Sequence, residues 1–502
     1  MFSTLCPQCG APVEFRSAAA VMAVCSSCRS TLLKQGEELA RIGEMATVFE
    51  DYSPVQLGAA GHFGSRSFIV IGRLQLRYDA GFWNEWFIAF GDGTSGWLSD
   101  ASGQYAITEQ ITSTGVLAIP SFDALEPGAR FDFDGRAYIA SDVRVAQCRG
   151  GEGELPFVVG DGWRARVADF RNESAFLTLD YSDSEAAVVY RGEAVELDAL
   201  ALHGLRDATQ IRASAGRYVG DVVAFACPSC GAPMSHTVGI ANFVICDACH
   251  AGVDCTEEQA QVFTKQREAD AFGTALAPGA KGVFDGVEYI VLGVMRCRSQ
   301  DGYAWDEYLL HTAGRGFMWL VHSEKQWERV DVLDSWPSIE SSQIVRFEKK
   351  AYSLDETYQS EVTHVGGAFN WRVSVGDVVQ VTDFVQAGRA KLTREVSASE
   401  IVWSRAQSVA GTRIEERFGP LAGTASTAGA MSMSSTPASY SHFAPLPFLF
   451  SIILVFVNFE DLARFDEEWV LVGLALILLW LPEWIWRHSS GDTPASGSGG
   501  SR

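Results

Sequence analysis

Cys227-Pro228-Ser229-Cys230-Gly231, answered downstream by Cys246-Asp247-Ala248-Cys249, decides how this chain is divided. Two residues between cysteines let one tight turn aim both sulfurs at a single ion, and glycine after the second cysteine permits backbone conformations that other residues resist. The N-terminus carries the same device as Cys6-Pro7-Gln8-Cys9-Gly10 and Cys25-Ser26-Ser27-Cys28, with the same number of residues between its turns. Eight of the eleven cysteines therefore form two equivalent sets of four thiolates, the pattern of a structural tetrahedral zinc site. A lone CxxC would leave a buried reduced pair or a redox motif open. Repetition of the whole quartet favours zinc, ahead of iron or no metal. Four protein ligands per ion leave no open position of the kind catalytic zinc needs.

The 502 residues suffice for two to four domains, and 47% hydrophobic residues with 14 tryptophans and 30 phenylalanines require packed cores. A net charge of −23 argues against a nucleic-acid surface, which concentrates positive charge to replace phosphate counterions. The first cysteine turn begins directly after Met1-Phe2-Ser3-Thr4-Leu5, without the basic and apolar regions of a signal peptide. Reduced thiolates agree with a cytosolic body.

Outward from each quartet the same order recurs. Thr31 to Phe49 carries Leu32, Leu39, Ile42 and Met45 at spacings of an amphipathic helix, and Thr256 to Phe272 opens with the capping and acidic signals of another. Glycine-broken β-like runs follow. Tyr289-Ile290-Val291-Leu292-Gly293 matches Phe68-Ile69-Val70-Ile71-Gly72; Trp305-Asp306-Glu307-Tyr308 matches Trp83-Asn84-Glu85-Trp86; Trp319 matches Trp97 and Trp327 matches Tyr105. Gly367 to Trp371 answers Gly153 to Phe157, Asp383-Phe384 answers Asp169-Phe170, and Ile401-Val402-Trp403 answers Val188-Val189-Tyr190. This is an internal duplication of an antiparallel β-rich module.

Beyond the duplication, 421–441 is a low-charge Ala/Ser/Thr/Gly linker. Phe443 to Phe459 and Trp469 to Trp486 are apolar runs at the short end of the roughly 20 residues a membrane helix needs. The charged stretch Glu460 to Glu468 between them makes a hairpin loop. The reading is a transmembrane hairpin, with a monotopic hairpin and an oligomerising helix pair as alternatives. The expected fold is mainly β. It divides into a first four-cysteine zinc ribbon (1–30), a first helix plus β-rich module (31–200), a second ribbon (224–255), a second helix plus β-rich module (256–410), the linker, a membrane hairpin (443–486) and a disordered tail (487–502).

The pattern Gly58, Phe68 to Gly72, Trp83 to Trp86 and Gly96-Trp97-Leu98, with its repeat Gly279, Tyr289 to Gly293, Trp305 to Tyr308 and Trp319-Leu320, resembles the bacterial family catalogued as domain of unknown function 4178. The resemblance covers most of 50–200 and 272–410. It implies no reaction, substrate or catalytic residue, and it implies an association with membrane segments. With the hairpin, it predicts a bacterial inner-membrane protein with a cytoplasmic N-terminal region and a non-cytoplasmic acidic loop.

The metal ligands expected are Cys6, Cys9, Cys25 and Cys28 for one zinc and Cys227, Cys230, Cys246 and Cys249 for the other. Glu85 and Glu307, each in a W-x-E-aromatic setting, could act as acids of raised pKa or recognise a cation. The plainer reading is an edge-strand glutamate accepting backbone or indole hydrogen bonds. His62, His236, His250, His311 and His322 form no catalytic pattern, and Cys148, Cys255 and Cys297 read as ordinary thiols. The leading function is a membrane-tethered, non-catalytic adaptor or scaffold with partners in a membrane-associated protein and the lipid bilayer. The alternative is an enzyme acting on a small molecule or lipid in a cleft between modules.

Overall fold

The computed structural model describes residues 2–421 apart from 36–37, 47, 49–50, 113–118, 161, 208, 212–224, 235–242, 256–260, 266–272, 313–314, 325 and 387–389. Alternating side chains and glycine turns give the expected antiparallel strands, and their hydrogen bonds close each copy into a barrel. In the first copy, Arg66–Tyr78, Gly81–Phe90, Ser95–Ala101 and Gln104–Gln110 are followed around the sheet by Val188–Val195, Ala175–Asp180, Arg164–Asn172 and Arg136–Leu155. The last pairs back onto the first, from Cys148 opposite Leu76 to Gly153 opposite Gly72. The second copy repeats this circuit with Val287–Ser299, Ala304–Thr312, Gly316–Ser323, Gln326–Val332, Ile401–Val409, Ala390–Val396, Val378–Val385 and Lys350–Phe369. Closure removes the sheet edge that would otherwise invite aggregation.

The seam depends on glycine. A Cβ on Gly72 would lie 1.8 Å from the carbonyl oxygen of Glu154, and Gly153, at φ +69°, would bring one to 2.2 Å from that of Ile71. Gly293 and Gly367 meet in the same way in the second copy, Gly367 at φ +80°. Each long strand then runs beyond the barrel. Gly153 to Leu155 pairs with the first ribbon's Met22–Val24, and Ala368 and Phe369 pair with the second ribbon's Phe243–Ile245.

Strand register confirms the duplication and moves one match by a residue. Asp169 opposes Thr178 as Asp383 opposes Thr393, and Thr178 opposes Tyr190 as Thr393 opposes Ser404. Tyr190 therefore corresponds to Ser404, and Trp403 to Val189.

The expected helices after the ribbons are corrected to strands. Ser30–Gln35 and Glu38–Glu44 pair with each other, and the former pairs with Met22–Val24. The helical spacing of Leu32, Leu39 and Ile42 straddles two strands: Leu32 is buried, whereas Ile42 is 43% exposed, so no continuous apolar stripe exists. An unpaired ribbon strand offers a row of backbone partners, and pairing to it prevails over the weak periodicity. Gln261–Lys265 is likewise a strand, paired with Ala251–Asp254, and the rest of that expected helix lies outside the described residues.

The membrane placement also requires correction. Among the described residues no helix is long and apolar enough to cross a membrane. The helix Gly411–Phe418 is short and packs Ile414 and Phe418 over the second barrel. The segment 443–486, on which the hairpin and the inner-membrane assignment rested, lies outside the described residues, as do 422–441 and the tail.

The two copies touch directly. Tyr52, ahead of the first barrel, packs 5.0 Å from Phe317 of the second, and Arg77 pairs with Asp254 of the second ribbon at 2.6 Å. Arg144 reaches Glu400 at 2.7 Å, and Asn370 donates to Ser102 at 2.9 Å.

Candidate functional site

Both cysteine quartets converge. Cys6 and Cys28 sulfurs stand 3.7 Å apart and those of Cys9 and Cys25 3.6 Å; in the second ribbon Cys227 and Cys249 are at 3.7 Å and Cys230 and Cys246 at 3.8 Å. All four sulfurs of each set lie within 4.8 Å of one another, too far for disulfides and suited to holding one metal ion. In each turn the first cysteine's carbonyl accepts the N–H of the residue after the second cysteine: Gly10, Arg29, Gly231 and His250. All four have positive φ, from 53° to 77°. Glycine supplies that conformation at the leading turns. Arg29 and His250 hold it in the trailing ones, so His250 shapes the loop and is no ligand. His236 lies outside the described residues, and His62 is exposed.

The second feature is the interior of the first barrel, where inward residues of neighbouring strands surround a cavity of about 80 Å³ that opens to solvent. Eight-stranded barrels are wide enough to be filled by side chains or to hold one small ligand. Leu74, Leu76, Trp83 and Trp97 form part of the wall, and Phe157 and Trp163 join them from the segment beyond the long strand, stacked at 5.4 Å. Glu85, Asp169 and Asp180 share this space with the hydroxyls of Ser99, Thr108, Thr178, Ser182 and Tyr190. Among the described residues none of the three carboxylates lies in an ion pair with lysine or arginine. Arg144, on the adjoining strand, is engaged by Asp142 and Glu400.

Each carboxyl is instead held by neutral donors. Trp83 Nε1 donates to Glu85 at 2.8 Å and Ser99 Oγ at 2.7 Å, and Thr178 Oγ1 donates to Asp169 at 2.6 Å. The Ser182 N–H donates to Asp180 at 2.8 Å. Burial pushes Glu85 up to about 8, the nearby Asp169 and Asp180 add to the rise, and the Ser99 and Trp83 hydrogen bonds oppose it. Burial also raises Asp169 and Asp180.

The second barrel repeats the acids with different neighbours. Trp305 Nε1 donates to Glu307 at 2.7 Å, and Thr393 Oγ1 donates to Asp383 at 2.6 Å. Glu395 occupies the place of Asp180, and burial with the nearby Glu307 and Asp383 holds it up at about 8. Lys391 Nζ lies 3.2 Å from Glu328 and 3.6 Å from Asp383. Val321 and Val330 replace Ser99 and Thr108, while Tyr358, its hydroxyl 3.5 Å from Asp383, stands where the first barrel has Arg144.

Glu85 and Glu307 do accept indole hydrogen bonds, yet they face inward in closed sheets, with no edge to protect. Sequence reasoning missed Asp180 and Glu395 altogether and took Asp169 and Asp383 only as repeat landmarks. The available signal was the alternation Thr178-x-Asp180 and Thr393-x-Glu395, which puts hydroxyl and acid on one face. His311 is buried against Phe317, and His322 stacks on Trp327 at 4.2 Å, both inside strands. Cys255 and Cys297 are buried, the latter beside Glu307, and Cys148 is half-buried.

A family model described as Domain of unknown function (DUF4178) matches residues 56–197 and 277–411, more than half of the chain, and one four-cysteine cluster precedes each match. No curated protein and no solved structure matches the chain.

Proposed function

The chain belongs to the family of domains of unknown function DUF4178 through both of its halves, and from that premise, which supplies no reaction, we propose that the first barrel binds a small organic cation. One observation carries the reading: three carboxyls stand among the rings of Trp83, Trp97, Phe157 and Trp163 without a cationic side chain in ion-pair contact among the described residues. A bound cation would offset the burial and the lesser carboxylate repulsion that raise Glu85, and ring faces add attraction of about 0.5–2 kcal/mol each. The ribbons and the second barrel are the scaffold of this reading. Zinc is the ion it assigns to both ribbons, since a four-thiolate tetrahedron with Zn–S near about 2.3 Å has edges of about 3.8 Å, close to the sulfur spacings of 3.6–3.8 Å.

Exposed tryptophans would support the protein-binding adaptor, and no tryptophan among the described residues is exposed. The enzyme reading has one observation in its favour. Glu85 at about 8, beside two further carboxyls in a concavity, is poised to exchange a proton near neutral pH. That concavity lies inside a barrel rather than between modules. Titrating the full chain with tetramethylammonium and n-butylammonium chlorides against sodium chloride at equal ionic strength, followed by tryptophan fluorescence, tests the proposal. Saturation by at least one organic cation, lost on combining Glu85→Gln with Asp169→Asn, is expected. Responses identical to sodium chloride throughout would reject it, and chemical conversion of the cation would favour the enzyme.

A further inference from the structure

The second barrel carries a lysine in ion-pair contact with an acid whose counterpart in the first makes no ion pair, and we propose that Lys391 is a built-in stand-in for the first barrel's ligand. This narrows the cation reading above, on which it rests, to a primary ammonium on an unbranched alkyl arm.

The ladders make the comparison residue by residue. Asp169 and Asp383 are equivalent and carry the same 2.6 Å hydrogen bond from an equivalent threonine. Phe176 opposes Arg171 and Lys391 opposes Val385, so Lys391 stands where the first copy has Phe176. Its Nζ, 3.6 Å from Asp383 and 3.2 Å from Glu328, spans two inward acids. The counterpart of Glu328 is Ala106, judged from its pairing with Val321 as Ala106 pairs with Ser99. In the first copy the neighbouring Arg171 does not take over this role. It donates to the Asp334 carbonyl at 2.9 Å, lies over the Phe176 ring, and makes no ion pair with Asp169. The acid held in an ion pair within the chain in one barrel thus makes none in the other, where Arg171 and Arg144 act on it only from a distance.

The chemistry of Lys391 defines the class. A primary ammonium offers three N–H donors and approaches carboxylate oxygens closely, whereas a quaternary ammonium offers none and must rely on ring faces. A four-carbon alkyl arm needs apolar surface to cover it, which the first barrel supplies as Leu74, Leu76 and Trp83.

Calorimetric titration of the full chain with n-butylammonium and tetramethylammonium chlorides at fixed ionic strength decides the matter. The intact chain is expected to take one equivalent of n-butylammonium with at least about tenfold preference over tetramethylammonium, and Asp169→Asn to weaken it by a similar factor. Phe176→Lys, which imports the tethered ammonium, should abolish uptake, and Lys391→Ala should open a second equivalent. If Lys391→Ala fails to fold by circular dichroism, the Phe176→Lys result carries the test. Equal affinity for the two cations, or undiminished uptake by Phe176→Lys, overturns the stand-in while the broader cation reading survives. Absence of saturable uptake of either cation overturns both.

Discussion

Replacing Glu85 with Gln isolates the electrostatic character of the first barrel. The glutamine carbonyl can still accept from Trp83 Nε1, and its amide can donate to a rotated Ser99 hydroxyl, so shape and hydrogen bonding are largely kept. A carboxyl moved from 4.5 to about 8 has a ceiling of about 5 kcal/mol of native-state penalty when ionised, at about 1.4 kcal/mol per tenfold in proton affinity. The cavity opens to water, and screening brings the expected effect to about 2 kcal/mol. Because the folded midpoint lies above the unfolded one, the native state holds the extra proton between them. The native protein therefore loses stability as pH rises from 4.5 towards 8. Asp169 and Asp180, which face Glu85 across the cavity, titrate in both proteins and largely cancel in the difference. Urea unfolding by tryptophan fluorescence at pH 5, 7 and 9 should show near equality at pH 5 and a Gln variant more stable by about 2 kcal/mol at pH 9. A pH-independent difference, or a wild-type advantage that grows with pH, would refute the reasoning.

Two further outcomes are expected. Metal analysis of the purified chain should find two zinc equivalents, and Cys227→Ser should raise protease sensitivity in the second half more than in the first, as a folded ribbon depends on its ion; a metal-free, fully folded chain would contradict this. The buried pair of Asp51 and Arg73, at 2.9 Å and shared with Asn84, predicts a loss of about 3–5 kcal/mol for Asp51→Ala, because the guanidinium is left uncompensated. A shift in the urea midpoint corresponding to less than about 1 kcal/mol would show the network to be dispensable.

The cysteine quartets were legible because metal chemistry is written in local spacing, and the duplication because aromatic and glycine landmarks recur in order. Barrel closure was not. Gly72 and Gly153 both appeared as landmarks, but nothing in either stretch announces that they oppose each other across a seam. The misread helix after the first ribbon has a similar origin, since Leu32, Leu39 and Ile42 satisfy a helical period only if the chain between them is continuous. Glu85 could be singled out from its tryptophan neighbours. Its companions Asp169 and Asp180 could not, because period-two alternation says which residues share a face but not which face is inside. Hydropathy alone suggested the hairpin, and the described residues contain no membrane-crossing helix that supports it.

Tyr52 and Phe82 of the first copy share one hydrophobic cluster with Cys227, Cys246 and Phe369 of the second. During synthesis the first barrel leaves the ribosome well before those partners exist, so its aromatic docking face waits in water until the chain has passed Phe369 and the second ribbon has folded. Should the second quartet need a metal ion to fold, a cell short of that ion would accumulate chains whose first half is complete yet unsheltered, and the burden would fall on chaperones.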